Sequence, residues 1–137
     1  MRARVAEQGL AGLIQVDSAG TQGFHGGEPP DRRSQHCAAQ HGVDLSGLKA
    51  RKLRDSDYAE FDIIAAMDHG HLAHMQRHCP AHLADRLHLF MSFAPDWDGP
   101  QDVPDPYYGE FGFEEVFQMV EAGVAGLIAK IKADQAA

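Results

Sequence analysis

The sequence predicts an α/β layered fold built on a parallel sheet, and three observations point to it. Short apolar runs alternate along the chain with segments of helical period. The apolar runs are compact, as buried parallel strands require. The last third ends in a stretch where Phe113, Val116, Phe117, Val120, Val124, Leu127, Ile128 and Ile131 recur at three- and four-residue spacing, one face of a long helix.

Taken in order, residues 2–9 read as helix, with Gly9 as its stop. Leu13-Ile14-Gln15-Val16 reads as a short strand entering Asp17-Ser18-Ala19-Gly20. Four glycines and two prolines between Gly20 and Pro30 make a loop. A helix from Asp31 to about Gln40 follows, ended by Gly42. Asp55-Ser56-Asp57 offers caps for a short helix through Glu60. The run from Phe61 to Met67 is the next strand, His69 to His78 a helix stopped by Pro80, and Leu87 to Met91 a further strand. Ser92 to Gly109 holds four prolines and four aspartates without periodicity, a long loop of the kind that often carries function.

The 137 residues suffice for a single domain, residues 1–137, with one core. No apolar run approaches the roughly 20 residues of a membrane helix, and no apolar signal core follows Met1-Arg2-Ala3-Arg4. A cytoplasmic protein is expected. The two cysteines, Cys37 and Cys79, are too few for a disulfide framework. A net charge of −8 argues against nucleic acid as partner, since phosphate backbones are gripped by clustered Lys and Arg. No membrane partner is expected either.

In a parallel sheet, ligands bind at the carboxyl ends of the strands. Three segments project there: the loop from Asp17, Met67-Asp68, and the proline-rich loop ending in Asp105. Pro104 and Pro106 restrict the backbone around Asp105, so its carboxylate is held. Tyr107 and Tyr108 add flat apolar faces with polar tips. A positioned acid between aromatic walls suits an aromatic substrate with an anionic leaving group; a solvated acidic turn is the plainer alternative.

Asp105-Pro106-Tyr107-Tyr108, closing such a loop ahead of a long final helix, resembles the general-acid loop of low-molecular-weight protein-tyrosine phosphatases. Asp17-Ser18-Ala19-Gly20-Thr21, Phe24-His25, Pro29-Pro30-Asp31, Arg33, Ala50-Arg51, Phe61-Asp62 and Met67-Asp68 follow in the order that family shows, over nearly the whole chain. The resemblance implies a flavodoxin-like three-layer fold with a four-stranded parallel sheet. It implies hydrolysis of protein phosphotyrosine through a phosphocysteine, with no cofactor and no metal. Asp105 takes the position of the general acid and base, Phe24, Tyr107 and Tyr108 the walls of the substrate pocket, and Ser18 that of a residue supporting the phosphate-binding loop. Phe24 stands where tryptophan is common, and His71 where asparagine is frequent.

The family's Cys-x5-Arg signature is not among these residues. The sixth residue after Cys37 is Val43, and after Cys79 it is Asp85. Both cysteines read as inert thiols. The expectation is a chain whose first, internal strand and phosphate-binding loop are missing, inactive as it stands. Two other readings use different residues. A non-catalytic module would present Phe24, Tyr107 and Tyr108 to a partner, and a metal-binding protein would use His74, His78 and His82 with His71 and Cys79 nearby. The related arsenate-reducing enzymes need further thiols and lack the Asp-Pro-Tyr-Tyr loop.

Overall fold

The computed structural model describes residues 1–21, 26–105 and 112–136. Five helices and two strands make up its regular structure: α1 (Arg2–Glu7), α2 (Arg32–Gln40), α3 (Asp57–Glu60), β1 (Ile64–Ala66), α4 (His69–His78), β2 (Leu87–Leu89) and α5 (Phe113–Ala136). Turns of 3₁₀ helix cover Ala81–Arg86 and Phe90–Phe93.

β1 and β2 pair in parallel, with Ile64 opposite Leu87 and Ala66 opposite Leu89. Side chains alternate across a strand, so one strand feeds two faces. Ile64 and Ala66 face a cluster of Tyr58, Met75, Leu83 and Leu87. Ala65 and Met67 instead meet Val5, Met91, Met119 and Ile128, contributed by α1, α5 and the 3₁₀ turn after β2. The α4 side and the α5 side are thus the outer layers of an α/β/α sandwich, the three-layer flavodoxin-like arrangement.

The helix ends follow local chemistry. Asp31 accepts the amide of Arg33 at 2.7 Å, and Asp68 accepts that of His71 at 2.7 Å, each satisfying a donor the helix start leaves open. Gly9 and Gly42 follow α1 and α2 with φ of 71° and 77°, a backbone that glycine alone adopts without strain. α5 lies against the Phe90–Phe93 turn through two glycines. A Cβ at Gly123 would run into the Phe90 ring, and one at Gly126 would overlap the carbonyl oxygen of Phe93.

Three local expectations need correcting. Leu13-Ile14-Gln15-Val16 is not a strand. Ile14, Gln15 and Val16 border a cleft of about 880 Å³ shared with α1, Arg54 and Phe61, and among the described residues no strand lies beside them to complete a ladder. The Val16 carbonyl takes the Arg2 guanidinium instead, at 2.7 and 2.9 Å. Beyond Leu89 the expected strand turns into 3₁₀ helix, which swings Phe90, Met91 and Phe93 inward against α5. Ser56 precedes α3 without a side-chain cap, and Asp57 accepts the Arg54 amide at 2.7 Å in its place.

Candidate functional site

Asp105 reaches its place through a short chain of constraints. The amide of Val103 donates to the Met67 carbonyl at 2.8 Å, immediately beyond the carboxyl end of β1. Val103 is buried against Met91 and Met119, so this point of the long loop is anchored in the core. One residue earlier, Asp102 accepts the His69 amide at 3.0 Å and pairs with the His69 ring. Pro104 then stiffens the step to Asp105, which is exposed. The loop therefore brings Asp105, an exposed residue, close to the carboxyl end of the sheet.

The segment carrying Ser18 is held by a second set of contacts. Gly20 bridges Lys52 in parallel, donating to the Arg51 carbonyl at 2.9 Å and accepting from Leu53 at 2.8 Å. The Gly27 amide donates to the Ala50 carbonyl at 2.7 Å, and the Ala50 amide to that of Glu28 at 2.8 Å. Asp17 accepts the Ser18 amide at 2.8 Å and the Arg51 guanidinium at 3.2 Å. Ser18 itself is exposed, and among the described residues its hydroxyl has no hydrogen-bond partner.

Beneath this segment, Arg51 forks onto Asp57 with contacts of 2.9 and 3.2 Å. Asp57 is 2% exposed. Burial on its own raises a carboxyl pKa, but the Arg51 guanidinium and the Arg54 amide outweigh it and hold Asp57 below the usual carboxylate range. The Asp17–Arg51–Asp57 chain thus fixes the base of the loop from Asp17 by paired charges. Asp17 and Arg51 stand among the residues that carry the family resemblance, whereas Asp57, their anchor, does not. Its signal was an aspartate six residues beyond Arg51 in a charged stretch, and nothing local distinguishes it from Asp55.

Of the expected site residues, Asp105 and Ser18 are placed; Phe24, Tyr107 and Tyr108 lie outside the described residues. The histidines of the alternative metal-binding reading do not converge. His74 and His78 have ring centroids 4.5 Å apart with their planes tilted by 45°, but Pro80 ends the helix and sends His82 into the 3₁₀ turn. Among the described residues, a different trio brings its ligand atoms within 4.8 Å of one another: Cys37, His41 and Glu114. Cys37 is 7% exposed, and burial together with the Glu114 hydrogen bond pushes its thiol pKa up, the opposite of an activated nucleophile.

The chain is similar to proteins of known kind along its full length. A family model for low molecular weight phosphotyrosine protein phosphatase matches residues 1–137. The low molecular weight protein-tyrosine-phosphatase of Streptomyces coelicolor is 42% identical over 134 residues, spanning 96% of this chain and 81% of that protein. The Bacillus subtilis protein YfkJ, of the same description, is 34% identical over 130 residues, spanning 95% of this chain and 82% of its own. The crystal structure of YfkJ superposes with a TM-score of 0.90, covering 97% of this chain and 82% of that one. A protein tyrosine phosphatase structure from Entamoeba histolytica also gives 0.90, at 28% identity, over 98% of this chain and 85% of the other. The chain belongs to the low molecular weight phosphotyrosine protein phosphatase family.

Proposed function

We propose that this domain hydrolyses protein phosphotyrosine in two steps, with Asp105 as general acid and then general base. In the first, a cysteine thiolate attacks phosphorus, the bond to the phenolic oxygen breaks, and Asp105 gives its proton to the departing phenolate. In the second, Asp105 takes a proton from water, whose oxygen attacks phosphorus and releases phosphate and the thiolate. Phe24, Tyr107 and Tyr108 wall the aromatic ring, and Ser18 supports the loop that holds the phosphate. The attacking cysteine belongs to a Cys-x5-Arg loop, where backbone N–H groups, an arginine and a helix start favour both thiolate and phosphate.

The observation that carries the reading is the anchoring of the acid loop. Val103 pins it to Met67 and to the core, and Asp105 stands two residues further on, exposed. Neither Cys37 nor Cys79 is followed by the required arginine, so the 137-residue chain alone supplies the acid but no nucleophile.

The test joins a strand and loop bearing Cys-x5-Arg to residue 1 and compares it with the same protein carrying Asp105→Asn. The extended chain is expected to hydrolyse aryl phosphates, and the substitution to lower kcat about 10²–10⁴-fold. That loss should deepen as the leaving phenol becomes more basic. An effect independent of the leaving group would remove Asp105 from the acid role.

A further inference from the structure

We propose that Cys37, His41 and Glu114 form a site for a zinc-type divalent cation that joins the end of α2 to the first turn of α5. Cys37 and His41 are four residues apart, on α2 and at its C-terminal cap, so they project on one side. Glu114 arrives from α5, across the interface. Its Oε2 lies 3.3 Å from the Cys37 sulfur, and its two oxygens lie 2.8 and 2.9 Å from His41 Nε2.

Thiolate, imidazole and carboxylate are the donor types zinc selects, and three protein ligands leave a fourth position for water. Ligands on tetrahedral zinc stand roughly 3.2–3.8 Å apart, given bonds of about 2.0–2.3 Å. The sulfur–oxygen distance already falls in that range. The His41–Glu114 pair has to open by roughly half an ångström, and the Cys37–His41 pair, within 4.8 Å, has to settle into the same range. Surrounding groups hold the ligands in place. The His41 ring stacks on Phe117, with centroids 4.2 Å apart and planes within 13°. Gln118 donates to Glu114 Oε1 at 3.0 Å, orienting the carboxylate. The trio is buried on the sulfur side and open on the other, since the Glu114 side chain is 54% exposed.

The chemistry balances without a further reagent. The Cys37 thiol, now donating to Glu114, loses its proton to solvent as the sulfur–metal bond forms. His41 binds through Nε2 as neutral imidazole, with its proton on Nδ1. Glu114 is already ionised. About one proton leaves per metal bound.

The experiment titrates the 137-residue chain with Zn²⁺ by calorimetry and with Co²⁺ by absorption. Expected are about one equivalent of metal and a thiolate-to-cobalt charge-transfer band, with Mg²⁺ giving neither. His41→Gln and Glu114→Gln should each weaken Zn²⁺ binding by more than about tenfold. Cys37→Ser should abolish the cobalt band. A His74→Gln/His78→Gln double variant should bind as the parent does. Because Cys37 is buried, the two solvent-side variants decide the matter if Cys37→Ser does not fold. Full-strength binding in both, absence of the band in the parent, or loss of binding in the His74/His78 variant would each overturn the site.

Discussion

The sheet and the flank beside it are built from similar apolar residues and end up differently. In β1, Ile64 and Ala66 find Leu87 and Leu89 as backbone partners, and each face of the strand finds a cluster to enter. Ile14 and Val16 are no less apolar. They pack on the first core cluster, yet their segment borders an open cleft and forms no ladder. A strand is a property of the pair, so an apolar run of four residues becomes one only where a neighbour supplies the matching donors and acceptors. Where none does, a side chain substitutes: Arg2 takes the Val16 carbonyl, and Asp17 takes Arg51. One region is held by strand pairing and core, the other by side-chain hydrogen bonds and ion pairs with core contact on one side.

The largest expected effect tests the closed side. Gly126→Ala forces a methyl into the Phe93 carbonyl, a backbone group that cannot rotate away as a side chain could. Destabilisation of about 3 kcal/mol or more is expected by denaturant melting. Gly123→Ala meets the side-chain ring of Phe90 rather than backbone, and should cost less. Equal costs for the two would mean that α5 slides rather than packs at a fixed height.

The charge-held side is probed through Asp57. Its carboxyl pKa is lower in the folded chain than in the unfolded one, so its contribution is present above the ordinary carboxylate range and is lost as pH falls through its folded value. Asp57→Asn leaves Arg51 without its buried partner and should cost about 3 kcal/mol at neutral pH. Below pH ~4 the gap between variant and parent should narrow, because the parent's own carboxylate is then being protonated. A gap constant with pH would mean that the hydrogen bonds of Asp57, not its charge, hold the loop.

The smallest effects lie at the cleft. Arg2 is well exposed, so Arg2→Ala should cost below about 1 kcal/mol. It should nonetheless speed hydrogen exchange at the amides of residues 14–17 while leaving 64–66 protected. Equal protection of the two segments would erase the distinction between them.

How far the sequence was legible follows the same division. α4 matches its expected bounds, because Asp68, the helical period and Pro80 are all local signals. α5 was legible from its apolar face, and Gly9 and Gly42 mark the ends of α1 and α2. Leu13–Val16 was misread because strand pairing is not local. Asp57 was missed because its importance comes from Arg51 folding back over it. The irregular backbone leading to Asp105 was legible from its prolines. Its anchor, Val103 on Met67, joins residues 36 positions apart and left no sequence signal. The pair Cys37 and His41 is visible as a four-residue spacing, but only the docking of α5 supplies Glu114.

The most direct test of the account is phosphatase turnover by the 137-residue chain alone, on a phosphotyrosine peptide. No turnover is expected, with activity appearing only when a Cys-x5-Arg loop is supplied. Turnover by the chain alone, abolished by Asp105→Asn, would mean that a nucleophile other than the family's works beside this acid loop, and would contradict it.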